Sequence, residues 1–142
     1  MPTEPGHFLL HRIRLRGPWD FEWSSPPSDT ATNDSNGTLR LPTTWNDAFG
    51  GSNGTVRLSR RFNRPTGIDD GERVWIELDV SRPSLVSFNE MRVGRIEPGI
   101  ARFDVTDRVT IHNRIALEID GTASVEEDRS IVEVVLVIES AE

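Results

Sequence analysis

The chain has 142 residues, the size of one domain able to bury roughly two-thirds of its unfolded surface, and a formal charge of −7. It contains no cysteine, lysine, tyrosine or glutamine, which excludes disulfides, thiolate nucleophiles, cysteine metal sites, Schiff-base lysines and tyrosine acids. All 16 basic residues are arginines, scattered rather than gathered in one run; with the acidic excess, nucleic acid is not an expected partner.

Taken in chain order, the start "MPTEPGHFLLHRIRLR" lacks the basic-then-apolar order and small-residue cleavage site of a signal peptide. No apolar run approaches the ~20 residues that a membrane span needs. A cytoplasmic location without a membrane partner is the default expectation. Leu9, Ile13 and Leu15 share a strand face with His11, and Trp19, Phe21 and Trp23 alternate on the next face. "SSPPSDTATNDSNGT", residues 24–38, is polar, Pro-containing and free of aromatics, and reads as a long mobile loop inside the domain. Trp45 follows Pro42 and leads into the polar loop "NDAFGGSNG". "GTVRLSRRF" aligns Val56, Leu58 and Phe62, with Arg60 interrupting that face.

"RVWIELDV" sets Val74, Ile76, Leu78 and Val80 against Trp75, Glu77 and Asp79, the period-two pattern of a half-buried strand. "SLVSFNEMRVGRIEPG", residues 84–99, shows two apolar runs pinched at Asn89 and Glu90. "NRIALEID" and "SIVEVVLVIES" alternate again, through Ile115, Leu117 and Ile119, then Val132, Val134, Leu136 and Ile138. No long segment carries a 3.6-residue stripe, and breaks rich in Gly, Pro, Asn and Asp separate the runs. The expected fold is therefore all-β, a single antiparallel β-sandwich over residues 1–142.

Candidates for chemistry are few. His7, His11 and His112 are scattered, whereas a metal site needs at least three convergent ligands. His11, on the apolar side of its strand, reads as a hydrogen-bonded structural imidazole. The carboxylates of Asp69-Asp70, Glu126-Glu127-Asp128 and Asp104/Asp107 fall in hydrophilic turns or at strand ends, where solvated charge explains them. The three sequons at Asn33, Asn36 and Asn53 are explained by turn composition. Trp45 beside Asn and Asp is the composition of a sugar site, since sugars offer apolar C–H faces and hydroxyl rims. A buried loop anchor explains Trp45 equally well.

In order, "LRGPWDF" (15–21), "PTTW" (42–45), "VRLSRRFNRP" (56–65) and "VWIELDVSRPSLVSFNEMRVGRIEPGIARFDVTDRVTIHNRIALEID" (74–120) resemble the N-terminal sugar-binding domain of family 2 glycoside hydrolases. The resemblance implies a galactose-binding-like jelly roll. It makes the pinch at Asn89 a hairpin turn, in which Asn tolerates positive φ. Glu90 stands where the family has Gly; a β-carbon at positive φ costs on the order of 1 kcal/mol, so another turn type is expected. Gly94 fits a close backbone approach, and "FDVT" a strand-end turn closed by Asp104 and Thr106.

In that family the catalytic acid and nucleophile lie in a separate (β/α)8 barrel of about 250 residues, for which these 142 residues have no room. Hydrolysis by this chain alone is not expected, and neither are catalytic residues nor a cofactor. The resemblance does imply site residues. Asn46 and Asn53 lie in the loop after Pro-x-x-Trp, and Asp120 opens "DGT", which matches the family's D-G-S. The expectation is a non-catalytic carbohydrate-binding module with candidates Trp45, Asn46, Asp47, Asn53 and Asp120. The alternative is a structural or protein-interaction sandwich that has lost the sugar and meets a protein partner instead.

Overall fold

The structure, a computed structural model, describes residues 8–25, 36–50, 54–64, 71–122 and 129–141. Among the described residues ten strands run in the order β1 (Phe8–Arg14), β2 (Trp19–Ser25), β3 (Asn36–Leu39), β4 (Thr55–Asn63), β5 (Arg73–Val80), β6 (Ser84–Phe88), β7 (Met91–Ile96), β8 (Gly99–Asp104), β9 (His112–Asp120) and β10 (Val132–Ala141). A short helix, α1 (Trp45–Phe49), lies between β3 and β4, and one 3-10 turn, Thr106–Arg108, precedes β9. The strands form two sheets, ordered β1-β10-β5-β8 and β3-β2-β4-β9-β6-β7. Every pairing within them is antiparallel. The all-β antiparallel sandwich expected from the alternation is thus the fold observed.

The period-two residues supply the core, as sheet-on-sheet packing requires. Val74, Ile76, Leu78 and Val80 of β5 and Val132, Val134, Leu136 and Ile138 of β10 are buried. From the other sheet come Val56 and Leu58 of β4, Val86 and Phe88 of β6, and Ile115, Leu117 and Ile119 of β9. Each such side chain contributes roughly 1.5–3 kcal/mol of apolar burial. Arg60 takes the core-facing register between Leu58 and Phe62, opposite Ile115. Its Nε and Nη1 are buried without a hydrogen-bond partner among the described residues.

Four local expectations need correction. The segment 24–38 is not loop throughout: β2 continues to Ser25, and Asn36 opens β3, which pairs back onto β2. Residues 26–35, including Asn33, lie outside the described residues. His11 is exposed rather than structural, because β1 is an edge strand of the four-stranded sheet. Residues 45–49 form helix α1 instead of loop, since Thr44 Oγ1 accepts the Asp47 amide at 3.0 Å and caps the first turn.

The fourth correction is the β6–β7 turn. Asn89 and Glu90 both hold positive φ, 49° and 70°, the backbone that two-residue hairpins of matching twist demand. Glu90 therefore bears the strain that suggested another turn type. Neighbouring bonds hold the turn there: the Asn89 amide donates to Arg114 O at 2.8 Å, and Asn89 Oδ1 accepts the Arg114 amide at 2.8 Å. Asn89 Nδ2 donates to Arg108 O (2.8 Å) and to Asn113 Oδ1 (3.1 Å).

Two other local readings stand. A β-carbon on Gly94 would meet the Phe103 ring at 3.3 Å. Asp104 Oδ1 accepts the Thr106 amide at 2.9 Å and its hydroxyl at 2.6 Å, closing the strand end. No helix among the described residues is long and apolar enough to cross a membrane.

Candidate functional site

One end of the six-stranded sheet gathers most of the residues singled out in the sequence. The segment before α1 is pinned to the entry of β10: Ile131 N donates to Thr43 O at 2.8 Å, and Thr44 bridges Ser130. This fixes the start of α1 and drives Trp45 inward, where it is only 5% exposed. Its ring meets Phe49 at 4.8 Å and Trp23 at 6.1 Å between centroids, both edge-on. Phe21 joins the same cluster through Phe49, at 5.2 Å. The Arg82 guanidinium lies 4.6 Å from the Trp45 ring centre, a cation–π contact strengthened by the burial of Arg82. Of the two readings of Trp45, the geometry is that of the loop anchor; the ring offers no open face for stacking.

Asp120 ends β9 opposite Thr55, the first residue of β4. The next residue, Gly121, donates its amide to Gly54 O at 3.0 Å. A β-carbon on Gly121 would fall 2.2 Å from Trp45 Cζ2, so the indole fills the space that a side chain there would take. Asp120 and α1 are therefore tied to a common anchor at the same end of the sheet. Asn46 and Asp47 are exposed on α1, while Asn53 lies outside the described residues.

The Asp120 carboxyl is held below the usual carboxylate value. The Thr122 hydroxyl and then the Thr122 amide donate to it, partial burial opposes them, and the charges of Arg95 and Arg82 add to the lowering. Both Thr122 bonds go to Oδ1, at 2.9 Å from the amide and 2.5 Å from the hydroxyl. Oδ2 carries no hydrogen bond among the described residues and remains an ionised acceptor. Asn46, Asp47 and Asp120 are thus exposed or partly exposed polar groups at the end of the sheet that the Trp45 cluster anchors. Among the described residues no group of three or more His, Cys, Asp or Glu is placed to hold a metal ion.

Sequence reasoning missed Arg82, buried at 6% exposure, whose Nη1 donates to Gly121 O at 3.4 Å. Its only local signal is the Ser-Arg-Pro turn between β5 and β6. It also missed Asn113, which is 3% exposed and joins the Thr110 turn, Phe62 and Asn89 through its side-chain amide. The signal there is a lone Asn at the head of the apolar run "RIALEI".

This architecture is shared with solved glycosidase structures. An FMN-binding β-glucuronidase from Facaelibacterium prausnitzii L2-6 is 23% identical, with a TM-score of 0.69, over 94% of this chain and 23% of its own. A Ruminococcus gnavus β-glucuronidase matches at 16% identity and a TM-score of 0.71, over 100% of this chain and 30% of its own. A rhamnosidase from Novosphingobium sp. PP1Y matches at 16% identity and 0.71, over 99% and 16%. The chain thus spans between 16% and 30% of the length of these proteins. At this level of identity the likeness establishes the fold, a β-sandwich that recurs as a small part of larger glycosidases. No family model matches the sequence, and no curated protein does.

Proposed function

We propose that this chain is a non-catalytic β-sandwich domain related to the sugar-binding domains of family 2 glycoside hydrolases, and that it meets carbohydrate through Asn46, Asp47 and Asp120. The observation that carries this reading is the seating of Gly121 on the Trp45 indole. It ties the strand end that carries Asp120 to the helix that carries Asn46 and Asp47, and on this reading these residues meet one ligand as a polar rim. The likeness to portions of two β-glucuronidases and a rhamnosidase supports the sugar class. The described residues contain two sheets and no (β/α)8 barrel, which supports a binding or shaping role over hydrolysis.

The second reading, a structural sandwich without a sugar, is favoured by the burial of Trp45, which leaves the rim without an aromatic platform. Its interaction-module form gains less support. The large exposed apolar side chains Leu10, Met91, Ile100 and Ile111 stand on separate segments, with Leu10 and Ile100 on opposite edge strands of one sheet.

A glycan array of galactosides, glucuronides, mannosides and rhamnosides, followed by calorimetry on any hit, separates the two. Asp120→Asn and Asn46→Ala, both at the surface of the rim, are expected to weaken binding by about tenfold or more each. Silence across the array, or binding untouched by both substitutions, would reject the rim. Aryl glycosides are expected to show no turnover.

A further inference from the structure

A second concavity, of about 580 Å³, lies at the other end of the six-stranded sheet and is lined by Arg61, Asn63, Asn89, Glu90, His112 and Arg114, among others. It is separated from Asp120 by the full length of β4 and β9, nine paired residues or about 26 Å. Arg61 and Arg114 are directly opposed across that strand pair, and both project on the outward face. Like charges placed so repel one another and destabilise a sheet. Neither guanidinium forms an ion pair among the described residues, where Arg12–Glu77, Arg73–Asp104, Arg95–Glu97 and Arg129–Asp79 are among the pairs formed.

Arg114 Nη2 is held by Ser59 Oγ at 3.2 Å, while its Nε is buried without a partner. The next outward pair, Asn63 and His112, is joined through Oδ1 and Nδ1 at 3.1 Å. The Asn63 amide nitrogen and His112 Nε2 carry no hydrogen bond among the described residues. A chain with 23 acidic residues thus places two cross-strand arginines without an ion pair among the described residues in a concavity whose one lining carboxylate is that of Glu90.

A guanidinium fork matches a carboxylate, which accepts paired N–H bonds from it; Arg61 has its fork unengaged among the described residues, and Arg114 keeps Nη1 and the second proton of Nη2. The amide of Asn63, the imidazole of His112 and the carboxylate of Glu90 line the same concavity and add donors and an acceptor for hydroxyls. We propose that this concavity binds a sugar acid, its carboxylate between Arg61 and Arg114 and its hydroxyls against Asn63, His112 and Glu90. The site is independent of the Asp120 rim, and either can fail without the other.

The test is an amide chemical-shift titration with glucuronate and galacturonate, run beside glucose, galactose, acetate and inorganic phosphate. The sugar acids are expected to shift the Arg61, Asn63, His112 and Arg114 amides and to bind about tenfold tighter than any of the other probes. Arg61→Ser and Arg114→Gln should each weaken them by about tenfold, whereas Ile100→Ser, at the exposed edge of the other sheet, should change nothing. Because Arg61→Ser also relieves the repulsion, it should raise the melting temperature of the free protein at low salt, and high salt should erase that gain. Equal binding of acetate or phosphate would assign the concavity to bare anions and overturn the proposal. Equal binding of glucose, or no shifts at millimolar sugar acid, would overturn it as well. A melting temperature lowered by Arg61→Ser would make the arginine pair structural and would likewise overturn the proposal.

Discussion

Gly121→Ala tests the contact on which the candidate site is built. The added β-carbon would stand 2.2 Å from Trp45 Cζ2, 2.5 Å from Cη2 and 2.4 Å from Gly54 O. None of these atoms yields easily. Gly54 O is the acceptor of the Gly121 amide itself, at 3.0 Å, and the indole is wedged by Phe49, Trp23 and Arg82. Overpacking in a filled core costs about 1–3 kcal/mol, more when the backbone must move, so a loss of about 3 kcal/mol is expected. For a domain of this size that lowers the melting temperature by roughly 10 °C. Urea unfolding followed by tryptophan fluorescence measures it, and the Trp45→Leu background dissects it. With the six-membered ring of the indole gone, only the Gly54 carbonyl obstructs, and the alanine penalty should shrink by at least about 1 kcal/mol in a double-mutant cycle. A penalty below about 0.5 kcal/mol for the single variant, or one undiminished in the Trp45→Leu background, would refute the indole–glycine contact as the anchor of this end.

Glu90→Gly should stabilise the protein by about 0.5–1 kcal/mol in chemical denaturation, because glycine occupies positive φ without the β-carbon penalty; a loss of stability would contradict the turn geometry. Asn89→Gly keeps that backbone accessible but removes the bonds to Arg108 O, Asn113 Oδ1 and the Arg114 amide. About 2 kcal/mol of destabilisation is expected in the same measurement, and a neutral result would deny the side chain its bridging role. Asp104 is also held below the usual value: partial burial opposes ionisation, but the Thr106 hydroxyl, the Thr106 amide and Arg73 together outweigh it. For both Asp104 and Asp120 the folded carboxyl is the stronger acid. Their stabilisation is therefore complete above the unfolded pKa of about 4 and is lost as pH falls through the folded one. Stability of an Asp104→Asn/Asp120→Asn variant should fall less steeply below about pH 5 in stepped-pH urea melts; an unchanged slope would reject the assignment.

The sheet was legible wherever one face of a strand meets the core and the other meets solvent. β5 is the clearest instance, its observed bounds coinciding with the "RVWIELDV" run. Legibility failed where position in the sheet overrides pattern. His11 follows the alternation of β1, yet nothing covers it at a sheet edge, and Val137 breaks the pattern in the opposite sense, being fully buried on the outward face of β10. Helix α1 was illegible for a different reason: five residues are too few for a period, and only the Thr44 cap and the inward pull of Trp45 define it. At the candidate site, the residue types were readable but the orientation of Trp45 was not. An aromatic in a polar loop has the same sequence whether its ring stacks on a ligand or on Phe49. The arginine pair was unreadable because Arg61 and Arg114 become neighbours only through the β4–β9 register.

The two Asp-x-Thr turns show what such a motif can and cannot carry. Asp104-Val105-Thr106 and Asp120-Gly121-Thr122 close in the same way, with the threonine amide 2.9 Å from the first carboxylate oxygen in both. What separates them is the surroundings. At Asp104 the second oxygen is taken by Arg73 at 2.6 Å, and Val105 plugs the core at 0% exposure. The turn is then a strand stop with no capacity left. At Asp120 the second oxygen is unclaimed among the described residues, and the middle residue has no side chain because the Trp45 indole already fills that space. The glycine in "DGT" is therefore the trace that a distant tryptophan leaves in the sequence. A valine there would reproduce the first turn, displace the indole, and separate Asp120 from α1 while leaving every local hydrogen bond of the motif intact. The candidate site thus resides in the pairing of Gly121 with Trp45 and not in the aspartate motif that first draws attention to it.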